Sequence, residues 1–180
     1  MSKKKELSNI NTIKNNKITN FHMPRWNEFP DLDIYLDQLV TYIENYLNPY
    51  IGSEGNPVIT KTMINNYVKQ HVIPAPVKKK YSKEHIAYLF VICTLKQVYS
   101  ISNISNLISF AGNISDLIIA YDQFCLELEN AVISVFNGTN YEITSATSME
   151  HKLLKSVVLS FAHKLYVENT FSFEVSKNKD

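Results

Sequence analysis

The segment from Lys83 to Tyr99 is the strongest constraint on what this chain can fold into. Placed on a helix, Ile86, Leu89, Phe90, Cys93 and Val98 line one face, while Tyr88, Val91, Ile92 and Leu95 cover much of the rest. A helix that is apolar on most sides must be buried on most sides, so other elements have to surround it. Asp31 to Asn48 predicts one such neighbour, because Leu32, Leu36, Leu39, Ile43 and Tyr46 recur every three or four residues. Asp31 or Asp33 can cap that helix, and the carboxylates suit the positive end of its dipole better than they suit a metal. Pro49, Gly52, Gly55 and Pro57 then break the chain. Ser100 or Ser102 starts a shorter helix with Ile104, Leu107 and Ile108 facing in. Glu150 to Glu168 predicts a last long helix, capped by Ser148, with Leu154, Val157, Val158, Phe161 and Leu165 on one face. Phe171 to Val175 alternates apolar and polar residues and reads as a short extended tail. With 45% hydrophobic residues and only four glycines in 180, the expected fold class is all-α.

A short helix, Lys61 to Lys69, precedes the central one. Thr60 can cap it, and Ile59 and Ile64 then stand at the two positions of a hydrophobic staple. Met63, Ile64, Tyr67 and Val68 share its apolar face. Lys61, Thr62, Asn65, Asn66 and Lys69 share the other, and none of the five is acidic. Lysine suits a phosphate and Asn suits an adenine edge, whereas the plainer reading is an ordinary solvated face. Pro74 and Pro76 end the helix, Lys78, Lys79 and Lys80 follow in a row, and Tyr81 and Ser82 lead into the central helix.

Charge is partitioned along the chain. Lys61 to Lys83 holds six lysines and no acidic residue, while Asn27–Thr60 and Gln97–His151 each hold six acidic residues and neither Lys nor Arg. The net charge of +1 therefore conceals a basic segment between two acidic ones. A polyanion is attracted only to the middle one.

Four stretches carry a resemblance: Asn66-Tyr67-Val68-Lys69-Gln70-His71-Val72-Ile73-Pro74, Tyr81-Ser82-Lys83-Glu84-His85-Ile86, Leu95-Lys96, and Ser100-Ile101-Ser102-Asn103-Ile104. Together they resemble the MerR-type helix-turn-helix. There, a recognition helix leads through Gly-Leu-Ile-Pro to a Tyr-Ser helix start, a Leu-Arg pair and a Ser-Leu-x-x-Ile helix. Pro24-Arg25-Trp26 together with Thr60 to Tyr81 more closely resembles an uncharacterised bacterial family, domain of unknown function 1836, over roughly Met23 to Leu165. That family brings no assigned activity. The chain departs from the MerR pattern at Asn65 and Asn66, where Arg and Tyr are usual, and at His71, where Gly is usual. Only Ala75 to Lys80 separates Pro74 from Tyr81, which is short for the wing, so a full β-hairpin is not expected. The compact helix that usually precedes the recognition helix is not recognisable, and a longer helix upstream has to serve.

The resemblance implies a MerR-like helix-turn-helix domain over residues 21–112. A C-terminal helical pair for dimerisation or sensing follows over 113–180, and a disordered basic tail precedes it over 1–20. Trp26, between Pro24 and Pro30, is expected to pin the start of the domain to the core. In Ser115 to Phe136, the residues Ile114, Ile118, Tyr121, Cys125, Leu128, Val132 and Val135 form a heptad seam. MerR-type proteins dimerise through a helix in this position, and the plainer alternative is packing within the chain's own bundle. The implied activity is transcriptional regulation by a homodimer on double-stranded DNA, under an unidentified effector. Thr60, Lys61, Thr62, Asn65, Asn66, Lys69, Lys78, Lys79, Lys80 and Tyr81 are the candidate contacts. If the three turn lysines each neutralise a phosphate, a dimer has a log-log salt slope of roughly −5. The rivals are a protein-interaction module on the same scaffold and a small-molecule sensor lined by Tyr121, Phe124 and Phe161.

An enzyme is not expected. No Gly-rich phosphate loop exists, and neither Cys93 nor Cys125 lies in a C-x-x-C pair. His85 and Cys93 stand eight residues apart and His151 and His163 twelve, so neither pair has ligand spacing and neither metal nor cofactor is expected. Two isolated cysteines in apolar helices read as buried thiols of a reducing cytoplasm. No apolar run approaches about 18 residues, so no membrane span is expected, and the N-terminal lysines lack the apolar run of a signal peptide.

Overall fold

The computed structural model describes residues 18, 20–53, 55–141 and 148–177, with side chains described as far as 171. Its element order is a 3₁₀ turn Trp26–Glu28, β1 Ile34–Tyr35, α1 Leu36–Ile51, α2 Lys61–Lys69, β2 Lys80–Tyr81, α3 Lys83–Leu95, α4 Ile101–Gly112, α5 Leu117–Asn137 and α6 Met149–Lys177. The fold is therefore mainly α and not purely α. Two-residue strands β1 and β2 pair antiparallel, with Ile34 opposite Tyr81 and Tyr35 opposite Lys80. The chain divides into one unit of Met23–Cys125 and a second holding the described residues before Met23 and from Leu126 onward.

In the first unit, α3 is the buried spine that its composition demands. His85, Ile86, Ala87, Leu89, Phe90, Ile92, Cys93, Thr94 and Leu95 are all buried. Phe90 is the hub. Phe29 stacks on it at 5.9 Å, and Tyr42 and Tyr46 meet it edge-on at 6.1 and 5.8 Å. Phe29 and Met23, rather than the half-buried Trp26, pin the start of the unit. The Tyr121 hydroxyl donates to the Pro24 carbonyl at 2.8 Å, and the Trp26 amide donates to Asp122 at 2.9 Å.

Helix α1 begins later and ends later than expected. Gln38 caps its start by accepting from the Tyr35 amide at 2.9 Å. Asp31 and Asp33 lie before it, and Leu32 is 81% exposed. Leu39, Ile43 and Leu47 make the buried stripe. The helix runs through Pro49, because a proline in the last turn removes a single intrahelical bond. Helix α4 starts at its predicted cap, where Ser100 accepts from the Asn103 amide at 3.2 Å. Helix α5 starts at Leu117, just after Asp116, which accepts from the Ile118 amide at 2.9 Å.

The heptad seam on α5 does not face outward. Tyr121, Cys125, Leu128 and Val132 are buried in the chain's own core and Val135 is half-buried, while Ile114 and Ile118 remain exposed. Other apolar residues of α5, namely Ile119, Leu126 and Ile133, face solvent at seven-residue spacing. Tyr121, Phe124 and Phe161 are core side chains.

In the second unit, α6 buries Val157, Val158, Phe161 and Leu165. Phe21 meets Phe161 at 6.2 Å, and Ile18 and Phe21 are both buried. The structured chain thus reaches into the stretch expected to be a tail; residues 1–17 and 19 lie outside the described residues. Helix α6 continues to Lys177, so Phe171–Val175 is helical rather than extended. Ser148 accepts from the His151 amide at its start, at 3.4 Å. The buried Glu127 carboxylate accepts from the Tyr141 hydroxyl. Among the described residues no single helix is long and apolar enough to cross a membrane.

Candidate nucleic-acid interface

Helix α2 forms where its sequence places it. Thr60 accepts from the Met63 amide at 3.1 Å, and the staple residues Ile59 and Ile64 are buried. Ile64 and Tyr67 face the core, and burial pushes the Tyr67 phenol up to about 12. Thr62, Asn65, Asn66 and Lys69 are exposed, and their spacing puts them on one outward stripe. The helix ends in a Schellman turn. The Val72 amide donates to the Tyr67 carbonyl at 2.9 Å and the His71 amide to Val68 at 3.1 Å. His71 takes the left-handed conformation at φ 55° that Gly would adopt without strain.

The lysine turn is a tight two-residue turn closed by an isolated bridge, not a full β-hairpin: Lys80 and Tyr81 form their ladder with Tyr35 and Ile34 of β1 instead. Val77 and Lys80 exchange backbone bonds at 3.1 and 2.9 Å around Lys78 and Lys79. Both central residues are left-handed, at φ 49° and 65°, the geometry of a type I′ turn. Two residues suffice to reverse the chain, and no ladder extends beyond the bridge. The usual Asn-Gly signal is missing because two lysines occupy strained positions. Tyr81 anchors the turn from inside. It is 3% exposed, lies edge-on to His85 at 5.2 Å and is no surface contact. Its strand position turns it inward, opposite Ile34. His85 in turn accepts from the Ser82 amide at 3.1 Å, a role that Glu or Gln fills in the usual capping box.

The six lysines are not equivalent. Lys61 pairs with Asp37 of α1. Lys83 pairs with Asp31 at 2.8 Å, and that bond holds the Asp31 carboxyl below its ordinary range. Lys80 is half-buried, with its ammonium 5.4 Å from the Tyr35 ring centre. Lys69, Lys78 and Lys79 are exposed and make no ion pair among the described residues. The site therefore offers three unneutralised cations and the amide and hydroxyl groups of Thr62, Asn65 and Asn66. Thr60 is committed to its cap, and Lys61 to Asp37.

Sequence reasoning missed the pieces that hold α2. Glu44 of α1 accepts from the Ile59 amide at 2.8 Å. Lys96, just after α3, donates to the Val58 carbonyl. Burial pulls the Lys96 amine below its ordinary range and pushes the neighbouring Cys93 thiol up to about 12. The Leu95-Lys96 landmark was visible in the sequence, but its acceptor was not.

The model of the DUF1836 family, described as a domain of unknown function, matches residues 24–124, over half of the chain. The chain belongs to this family. The DUF1836 match ends within one residue of each boundary of the Met23–Cys125 unit. The matched stretch contains α2, the lysine turn and the two side chains that hold the entry to α2. No curated protein and no solved structure matches the chain.

Proposed function

We propose that the chain is a duplex-DNA-binding transcription regulator of MerR-like helix-turn-helix type, acting as a homodimer. Helix α2 enters the major groove with Thr62, Asn65 and Asn66 toward base edges. Lys69 and the turn residues Lys78–Lys79 lie on phosphates. The observation that carries this reading is the outward stripe of α2, polar throughout and free of carboxylates, followed within ten residues by a tight turn of two unpaired lysines. The order strand, helix, helix, strand, helix, helix supports it as well, since it leaves α2 directly ahead of the lysine turn. The protein binds; it does not catalyse.

The second reading is a protein-interaction module. Phe110, Ile114, Ile118 and Ile119, all 40% exposed or more, favour it as apolar side chains open to a partner. One experiment separates the two. The purified protein is mixed with a random-sequence duplex pool at low and at physiological salt, and retained duplexes are sequenced. The DNA reading expects a recurrent, two-fold related site whose retention falls with salt. No retention at low salt overturns it and leaves the interaction module.

A further inference from the structure

Val58 and Ile59 are buried immediately before the cap of α2, at 3% and 1% exposure. The segment there is neither helix nor strand, so the ladder bonds that normally satisfy buried backbone are not available. The Val58 carbonyl and the Ile59 N–H belong to one peptide plane. Lys96 donates to its oxygen and Glu44 accepts from its nitrogen at 2.8 Å. A cation and an anion from α3's end and from α1 thus hold opposite edges of a single peptide group, each aligned with that edge's partial charge.

We propose that Glu44 and Lys96 are positioning residues that set the angle at which α2 leaves the core, and hence the presentation of Thr62, Asn65 and Asn66. The functional half of this inference rests on the DNA-binding reading; the geometric half does not. Thr60, the cap, is the next residue after the held plane, so rotating the plane redirects the helix axis. A nine-residue helix is about 13 Å long, so a tilt of ~10° moves its far end by roughly 2 Å. A displacement of that size exceeds what a base-reading hydrogen bond tolerates. Burial depresses the Lys96 amine, and the neighbouring Cys93 and Glu44 counteract it in part.

The test uses the full chain with Lys96→Met, Lys96→Arg and Glu44→Gln. Lys96→Met removes the donor and keeps the stem. Lys96→Arg restores a cationic donor. Glu44→Gln keeps an acceptor and the packing, so it also serves if Lys96→Met fails to fold. Residual dipolar couplings of the free protein give the orientation of the α2 N–H vectors relative to α1 and α3. We expect reorientation in Lys96→Met, a smaller one in Glu44→Gln and none in Lys96→Arg. An unchanged orientation in the folded variants overturns the inference, whether or not the protein binds DNA. The second readout compares affinity for the duplex recovered from the random pool with affinity for a scrambled duplex of equal length. The preference is expected to fall at least tenfold in Lys96→Met and about threefold in Glu44→Gln. Scrambled-duplex affinity and the salt slope are expected to stay put, because Lys69, Lys78 and Lys79 are untouched. Wild-type preference in the folded variants contradicts a positioning role. A wild-type protein that retains no duplex removes the DNA reading, while the couplings still decide the geometry.

Discussion

Helices α2 and α5 each bury one face, and they differ in what they leave outside. Helix α2 shows solvent Thr62, Asn65, Asn66 and Lys69. Helix α5 shows it Ile118, Ile119, Leu126 and Ile133, while its heptad seam is covered from Tyr121 to Val132. A polar face of a soluble helix has one economical destination, which is water or a polar ligand. An apolar face has two, the chain's own core or another molecule, and periodicity does not distinguish them. The contrast makes α2 the better candidate for a charged ligand and α5 a structural column.

The largest expected effect tests the α2 side of this contrast. Replacing Lys69, Lys78 and Lys79 together by Ala is expected to lower duplex affinity at 50 mM salt by a hundredfold or more and to flatten its salt dependence, measured by fluorescence anisotropy. Equal affinity in the triple variant removes the lysine turn from the site. On the α5 side, Leu128→Ala is expected to cost about 3 kcal/mol by urea unfolding, since Leu128 is fully buried. Leu126→Ala, two residues away and 44% exposed, is expected to cost under about 0.5 kcal/mol. Similar costs at both positions contradict the inward seam.

Thr60→Ala is expected to cost about 1 kcal/mol, because the Met63 amide loses its acceptor. Alkaline pH probes the core beneath α2. The Cys93 thiol ionises near 9 when unfolded but near 12 when folded, and the Tyr67 phenol near 10 and near 12. The unfolded chain therefore holds fewer protons between these values, and stability falls as pH rises from 9 toward 12. Lys96, depressed by burial, opposes this in part below its ordinary value of 10.5. The melting temperature is expected to decline from about pH 9 and, in Cys93→Ala, only from about pH 10. A small effect of opposite sign is expected at the lysine turn. Lys79→Gly removes a left-handed lysine and is expected to add about 0.5–1 kcal/mol of stability while weakening duplex binding.

How far these features were legible follows from the range of the interactions behind them. Thr60, Ser100 and the staple Ile59–Ile64 were readable, because caps and staples join residues three to five apart. The burial of α3 was readable from composition alone. Leu32 and Asp31 misled, because the pairing of Ile34 with Tyr81 displaces the helix start to Leu36. The geometry of the lysine turn was hidden because left-handed φ is usually advertised by Gly or Asn, and here Lys78 and Lys79 adopt it. Tyr81 looked like a surface residue beside three lysines, and strand alternation turned it inward. The pairs Asp37–Lys61, Asp31–Lys83 and the Glu44/Lys96 grip join residues far apart in sequence, and no spacing rule reaches them.

The most direct test of the central claim is the salt dependence of duplex binding by the full chain. With Lys69, Lys78 and Lys79 each releasing one counterion per protomer, a dimer is expected to show a log-log slope of roughly −5 on the duplex recovered from the random pool. A slope near zero, or no binding at 50 mM salt, contradicts the assignment of α2 and the lysine turn to DNA.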